Sequence, residues 1–201
     1  TWQIAMGRAL ESSPEIAIAS VSYAPVDKPI RRDSGAIRQW LLPQESLDGD
    51  GRPSASTRRE ISRIVAEFAP DLVHVWGTEN FGGALVADGH IVCPALLEMQ
   101  GILFAYAHRY YGGLDLPDLI GCIGPKELLL PWRHLVFRRR QFFVRGRAEH
   151  RVIRSFAHVA AQSAWVESHV RHVNPDCRIH PTGILLRREF MESPPWEPSA
   201  G

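Results

Sequence analysis

Apolar residues along the chain alternate between helical spacing and short continuous runs. They recur at helical spacing over residues 1–12 and again over residues 56–68. Runs of apolar and β-branched residues lie at 16–23, 72–76 and 94–99, with the length and composition of strands that are buried on both faces of a parallel sheet. Helices that alternate with buried strands indicate βαβ units, so the pattern predicts an α/β fold.

Two regions interrupt this pattern. Residues 30–54 are polar and contain an Asp-Gly-Asp-Gly turn, which predicts a mobile loop with a weak strand at 37–42. Residues 102–154 are first aromatic and glycine-rich and then, from residue 131, arginine-rich with helical spacing, and Gly146 is a candidate break in that helix. We therefore expect a helical insertion around residues 102–154.

The regular pattern returns after the insertion. Residues 156–161 predict a strand, residues 164–173 a helix and residues 178–180 a short strand. A proline-rich stretch follows. The chain is therefore expected to form one Rossmann-like, three-layer α/β domain with a mostly parallel sheet over residues 1–190, and a linker or tail over 191–201.

Composition narrows the class of protein. The chain is 45% hydrophobic and has a formal net charge of +1, which suits one globular domain and argues against a general binder of nucleic acids or other polyanions. Its three cysteines, Cys93, Cys122 and Cys177, are odd in number and widely spaced, as in a cytosolic protein with reduced thiols. No apolar run approaches the roughly 18 residues of a membrane span. We expect a cytoplasmic protein, with peripheral contact to the inner face of the membrane as the alternative.

Two predicted strands end in residues that suit a binding site. Open parallel sheets bind ligands in the crevice at the carboxyl ends of their strands, and glycine there allows close approach of the backbone. The alternatives are a strand-to-helix turn at the second strand end and a helix N-cap at residues 78–80 of the first. The candidate residues at the two strand ends are Gly77, Thr78, Glu79, Glu98, Gln100 and Gly101.

Two ionisable residues lie inside apolar strands. Glu98 is expected to be either a residue of the site or the partner of a nearby arginine. His74 is interpreted as a core histidine that bonds to the backbone, in preference to a catalytic or ligand role.

The insertion is rich in arginine and aromatic residues. Three interpretations remain open for its helix: a solvated or domain-packing face, which we favour, a contact with anionic lipid or an anionic acceptor, and nucleic-acid binding, which we do not expect. The candidate contacts to an anionic surface are Arg138, Arg139, Arg140, Arg145 and Arg147.

Four further residues have a spacing that could suit zinc. They are His169, His172, Cys177 and His180. Because a domain with its own core does not need a structural metal, we expect no metal site there.

Several segments occur in the order found in one known family. They are the helix and strand at 61–75, which ends in Ala-Pro-Asp-Leu-Val-His-Val, the loop Gly77-Thr78-Glu79, and the stretches 96–101, 112–114, 145–149, 163–170 and 184–190. Together they resemble the N-terminal domain of family 4 glycosyltransferases over almost all of residues 1–190.

The resemblance implies a GT-B fold, in which two Rossmann-like domains face each other across a cleft. In that family the N-terminal domain mainly holds the acceptor, and the C-terminal domain binds the nucleotide-sugar donor. The resemblance therefore implies that this chain is the acceptor-side domain of a retaining glycosyltransferase. Its partner in cis would be a C-terminal domain that this chain does not include. The isolated domain would be inactive, without a tightly bound cofactor, and the acceptor would be a glycan, a lipid-linked or a small hydroxylated molecule.

The chain departs from the family pattern in two places. Members usually begin with a strand and a Gly-Gly loop before the helix that opens this chain, so we expect an exposed sheet edge that favours self-association. Many members have a histidine where this chain has Gln100, which can hydrogen-bond but cannot act as a titrating base. Tyr106 is a candidate for stacking on a sugar ring, although aromatic residues in such stretches more often belong to the core.

The alternative function is a stand-alone Rossmann-like binding or interaction module without catalysis. Half of a nucleotide-dependent oxidoreductase is disfavoured, because no Gly-x-Gly-x-x-Gly follows a predicted strand.

Overall fold

The computed structural model describes residues 2–48, 50–130, 134–183 and 188–194. Its contacts divide the chain into two compact units. The first unit comprises Thr1–Gln44 and Gly183–Gly201, and the second comprises Glu45–Thr182. The single domain over residues 1–190 stays a prediction, and most of the expected tail lies outside the described residues.

Helices and strands alternate along most of the described chain. In chain order they are α1 Trp2–Glu11, β1 Ile18–Ala24, β2 Ile30–Ser34, β3 Ile37–Pro43, α2 Ala55–Phe68, β4 Val73–Trp76, α3 Gly82–Ala87, β5 Ala95–Glu98, α4 Leu103–Arg109, α5 Leu116–Gly121, α6 Pro125–Leu129, α7 Leu135–Ser155, β6 His158–Ala161, α8 Ala164–Val173, β7 Arg178–Pro181 and α9 Arg188–Met191. The α/β fold expected from the sequence is confirmed.

The first unit contains a mixed sheet in the order β1-β3-β2. Strand β3 is parallel to β1 and antiparallel to β2. The loop predicted over residues 30–54 is wrong at its start, because residues 30–34 form β2. This strand has no apolar pattern in its sequence. Its Arg31 pairs with Asp33 at 3.1 Å and lies over the ring of Trp40. Backbone pairing with β3 maintains a strand whose side chains are mostly exposed.

The second unit contains a parallel sheet in the order β4-β5-β6-β7. The sequence predicts all four strands to within two residues of their observed ends. Leu97 on β5 and Val159 on β6 are fully buried, and helices α7 and α8 add Val152 and Val170 to the same core. Because the strands are parallel, their carboxyl ends share one edge of the sheet, where the candidate site residues lie.

Helix α7 contacts three other helices of the second unit, α3, α4 and α8. It runs without a break from Leu135 to Ser155, so the break expected at Gly146 is wrong. Gly146 instead allows α4 to approach, because a Cβ atom there would lie 2.9 Å from the Cα atom of Phe104. Gly83 of α3 faces Val152 in a similar way: a Cβ atom at Gly83 would lie 2.5 Å from Cγ1 of Val152. In the part of the chain that the structure describes, no helix has both the length and the apolar character needed to cross a membrane.

Candidate functional site

Gly77 connects two neighbouring strand ends. Its N–H donates to the carbonyl oxygen of Glu98 at 2.8 Å, which extends the pairing of β4 with β5 past the end of β4. Its φ angle is +75°, and a Cβ atom there would lie 2.0 Å from Oε2 of Glu79 and 3.1 Å from Cγ of Gln100. The absence of a side chain at Gly77 therefore lets Glu79 and Gln100 approach each other at the carboxyl edge of the sheet.

Tyr106 covers the second glycine of this edge. A Cβ atom on Gly101 would lie 3.0 Å from the hydroxyl oxygen of Tyr106 and 3.1 Å from its Cε2 atom. The side chain of Tyr106 remains 49% exposed. The structure thus places Tyr106 beside the candidate residues that follow β5, with part of its ring open to solvent.

Glu149 is a buried carboxylate that the sequence analysis does not predict as a site residue. It is 1% exposed and accepts three hydrogen bonds: from Oγ1 of Thr78 at 2.7 Å, from the N–H of Leu103 at 3.0 Å and from the N–H of Phe104 at 3.0 Å. The first N–H groups of a helix have no partner within the helix, and Glu149 supplies one for α4. It thereby connects the loop after β4 to the start of α4. The alternative interpretation of residues 78–80, a helix N-cap, is not found, because α3 begins at Gly82 after Phe81.

Glu98 is buried and has two polar neighbours. Its Oε1 atom accepts a hydrogen bond from Nε2 of Gln162 at 3.3 Å, and its Oε2 atom lies 2.8 Å from Nε2 of His74. This short His74 contact is poorly aligned, and among the described residues Nε2 has no well-aligned hydrogen bond. The polar neighbours of Glu98 are thus a histidine and an amide, whereas one of the two alternatives from the sequence was an arginine partner. The Nε2 atom of His74 faces this carboxylate, where the sequence suggested the backbone.

Burial shifts the ionisation of two residues at this edge in opposite directions. It lowers the pKa of His74, because the imidazolium loses hydration, and the neighbouring Glu98 opposes that change. Burial raises the pKa of Glu79, and the negative charge of Glu149 adds to the rise, while backbone N–H groups of Glu79 and Thr78 oppose it. Both shifts favour the neutral forms of these two side chains.

We expect the low pKa of His74 to make stability fall in mild acid. Below the usual histidine pKa of about 6.5, His74 binds a proton in the unfolded chain but stays neutral in the folded chain. The free energy of unfolding therefore falls as the pH decreases, until the pH reaches the lowered pKa of folded His74. His74→Gln should reduce the drop in free energy of unfolding between neutral and mildly acidic pH, as measured by urea denaturation. Some drop should remain, because burial also lowers the pKa of His150. An unchanged pH dependence in the variant would contradict this expectation.

A shallow depression adjoins the loop after β4. Its lining includes Thr78, Glu79, Asn80 and Arg145, with residues of the 47–51 loop on another side. Arg145 is exposed, and no hydrogen bond or ion pair to another described residue is found for it. The depression therefore combines one exposed cation, Arg145, with the hydrogen-bonding side chains of Thr78 and Asn80. It is also lined by the carboxyl groups of Asp48, Asp50 and Glu79.

Two arginines attach the loop before α2 to the rest of the second unit. Nε of Arg52 donates to Oδ2 of Asp88 at 2.6 Å, and Arg151 pairs with the other oxygen of the same carboxylate. Arg151 also donates to the carbonyl oxygen of Asp50 at 3.0 Å. Arg52, with Arg151 adding to its effect, lowers the pKa of Asp88. Asp88 therefore stays ionised and holds one wall of the depression in place.

The five arginines that were candidates for contact with an anionic surface fall into two groups. Arg139 is half-buried, donates to the carbonyl oxygen of Ala107 at 3.1 Å and lies over the rings of Tyr111 and Phe143. It belongs to the packing between α4 and α7. The other four, all exposed, are Arg138, Arg140, Arg145 and Arg147.

The residues with zinc-like spacing do not assemble into one site. Nδ1 of His169 lies 3.0 Å from the carbonyl oxygen of Trp165, and Nε2 of His180 lies 3.0 Å from Nδ1 of His158. Over residues 2–48, 50–130, 134–183 and 188–194, no three histidine, cysteine or acidic side chains are grouped so that they could hold a metal ion.

Comparison with known proteins adds no family. No protein-family model matches the chain, and no curated protein matches it. The function must therefore be inferred from the residues at the carboxyl edge of the parallel sheet.

Proposed function

We propose that this chain is the acceptor-side, Rossmann-like domain of a retaining GT-B glycosyltransferase. The complete enzyme would move a sugar from a nucleotide-sugar donor to a glycan, a lipid-linked or a small hydroxylated acceptor. The observation that carries the proposal is the convergence of Glu79 and Gln100 around Gly77, beside Gly101 and Tyr106. These are the strand ends at which open parallel sheets bind ligands.

The chemistry of this edge suits a hydroxylated molecule. Gln100 is exposed and can both donate to and accept from a hydroxyl group, and Glu79 can accept a hydrogen bond or, when protonated, donate one. The open part of the Tyr106 ring offers an apolar face against which a sugar ring could stack. A small number of convergent polar groups beside an aromatic surface is typical of sites for small ligands.

Catalysis would need a second domain. Sugar transfer depends on holding donor and acceptor in register and on stabilising the charge of the leaving diphosphate. Among the described residues that line the depression, Arg145 is the cation. We therefore propose that the chain binds acceptor but does not turn over alone. Its free cysteines, Cys93, Cys122 and Cys177, are consistent with a cytoplasmic enzyme.

Substitutions after the carboxyl ends of β4 and β5 test this function. Glu79→Gln and Gln100→Ala should each lower sugar transfer by the full-length polypeptide by about 10- to 100-fold, because each removes a contact that positions the acceptor. Asp71→Asn is the matched control for Glu79→Gln, since this exposed acid precedes the amino end of β4. Initial rates would be measured with a panel of nucleotide sugars and hydroxylated acceptors.

Stability separates a loss of function from a loss of folding. The raised pKa of Glu79 means that the folded state binds a proton more readily than the unfolded state, so ionisation above the usual glutamate pKa costs stability. Glu79→Gln removes that cost and should leave the protein at least as stable at neutral pH. The proposal fails if the full-length polypeptide transfers no sugar, or if Asp71→Asn lowers the rate as much as Glu79→Gln. Turnover by the isolated chain would contradict the need for a second domain.

The engagement of Glu98 and Glu149 favours one alternative, a binding module without catalysis. Both carboxylates are buried and have protein partners, as structural groups do. In that case the full-length polypeptide would bind a hydroxylated ligand through Glu79 and Gln100 and would not turn over any nucleotide sugar.

A further inference from the structure

The N-terminal half of α7 exposes a narrow stripe of two apolar side chains with a glutamine between them. An α-helix turns by about 100° per residue, so residues 137, 141 and 144 lie close to one line along its surface. Phe137 is 39% exposed and Val144 is 41% exposed, and Gln141 between them is also exposed. The opposite side of the same helix packs against α4 through Gly146 and Arg139.

Arginines flank this stripe on both sides. By the same helical geometry, Arg140 and Arg147 lie on one side and Arg138 and Arg145 on the other, each pair seven residues apart. All four are exposed, and in the described chain none of them makes a hydrogen bond or an ion pair with another described residue. We call the stripe and these four arginines the arginine-flanked face.

The surrounding sequence lacks acids on this part of α7 and adds exposed apolar side chains. No aspartate or glutamate occurs between His134 and Ala148, so no nearby acid on the same stretch of α7 neutralises the arginines. The segment that precedes α7 exposes large apolar side chains, and burying them against another surface would be favourable. They are Leu114, Leu116, Ile120, Ile123, Leu128 and Leu129.

We propose that the arginine-flanked face binds the surface of a lipid bilayer that contains anionic phospholipid. The apolar stripe would enter the boundary between headgroups and acyl chains, and the arginine stems would extend along it so that their guanidinium groups meet lipid phosphates. Nucleic acid is the weaker partner, because a phosphate backbone gains nothing from an exposed apolar stripe between the cations. This interaction does not rest on the glycosyltransferase proposal.

Vesicle binding tests the charged part of the face. The 201-residue chain should sediment with vesicles of phosphatidylcholine and phosphatidylglycerol, and should stay in the supernatant with phosphatidylcholine alone. The triple variant Arg138→Gln, Arg140→Gln, Arg147→Gln should bind the anionic vesicles roughly 100-fold more weakly, since each arginine near an anionic surface contributes to binding. Arg145 is left in place because it lines the depression.

A charge-matched control decides whether location matters. Arg59, Arg154 and Arg178 are exposed arginines outside the face. Their triple glutamine variant changes the net charge by the same amount and should bind anionic vesicles within about threefold of the unchanged chain. Circular dichroism would confirm that both triple variants remain folded.

The apolar part distinguishes a bilayer from another polyanion. Phe137→Ser with Val144→Ser should weaken vesicle binding by about tenfold, because two side chains lose their burial in the membrane boundary. The proposal is overturned if the chain does not bind anionic vesicles, or if both arginine variants lose binding equally. It is also overturned in favour of nucleic acid if a DNA duplex binds more tightly than the vesicles and the serine variant leaves vesicle binding unchanged.

Discussion

Replacing Glu149 with alanine is expected to lower the free energy of unfolding by about 3–5 kcal/mol, because one buried and two partly buried donors lose a buried acceptor. Two of these donors are the N–H groups of Leu103 and Phe104 at the start of α4, and the third is the hydroxyl of Thr78. The buried N–H group of Leu103 gains no water in exchange if the surrounding core stays closed. Urea denaturation followed by circular dichroism would measure the change.

Two milder substitutions separate the contributions to this loss of stability. Glu149→Gln keeps the side-chain shape and one acceptor oxygen, so it should cost less than alanine does. Thr78→Val removes one donor and keeps the volume, so it should cost about 1–2 kcal/mol. A result in which alanine and glutamine cost the same would show that packing, and not hydrogen bonding, explains the role of Glu149.

Replacing Gly146 with alanine is expected to lower the free energy of unfolding by about 2–3 kcal/mol, although alanine favours helix more than glycine does. The added Cβ atom would lie 2.9 Å from the Cα atom and 3.1 Å from the backbone nitrogen of Phe104. A backbone cannot move aside as a flexible side chain can, so α4 and α7 would have to separate. Thermal and urea unfolding of the variant would measure the loss.

Gly121 provides the matched control for Gly146. It also lies in a helix, α5, but a Cβ atom there would meet no other atom within 4 Å. Gly121→Ala should therefore be neutral or stabilising by up to about 1 kcal/mol. If both alanine variants changed stability in the same direction and by the same amount, the close approach of α4 to α7 would not explain why residue 146 is glycine.

Local patterns predicted most of the parallel sheet. Buried strands such as β4 and β5 are short apolar runs between helices, and their pattern depends on neighbours that are close in sequence. Strand β2 escaped prediction because charged side chains such as Arg31 and Asp33 remain exposed while its backbone pairs with β3. The break expected at Gly146 was wrong because glycine there is required by a tertiary contact, which the local sequence does not show.

The candidate site could be predicted in part, because several of its residues directly follow strands that the apolar pattern predicts. Gly77, Glu79 and Gln100 follow strands, so the rule for parallel sheets places them at one edge. The partners of Glu98 could not be predicted, because Gln162 lies 64 residues away along the chain. Glu149 was missed because it belongs to an arginine-rich helix, where a single acid resembles an ordinary surface residue. Its hydrogen bond to Thr78 spans 71 residues.

The hydrogen bonds of Glu149 mean that substitutions at positions 146 and 149 affect each other. Gly146 and Glu149 are separated by one helical turn, so both face α4, and each contacts the backbone of Phe104 or its neighbour. A larger residue at position 146 would push α4 away from the carboxylate that caps it, and loss of the carboxylate would leave the close approach without its hydrogen bonds. Proteins that share this arrangement should therefore keep or lose glycine and glutamate together, with threonine at position 78 changing alongside them.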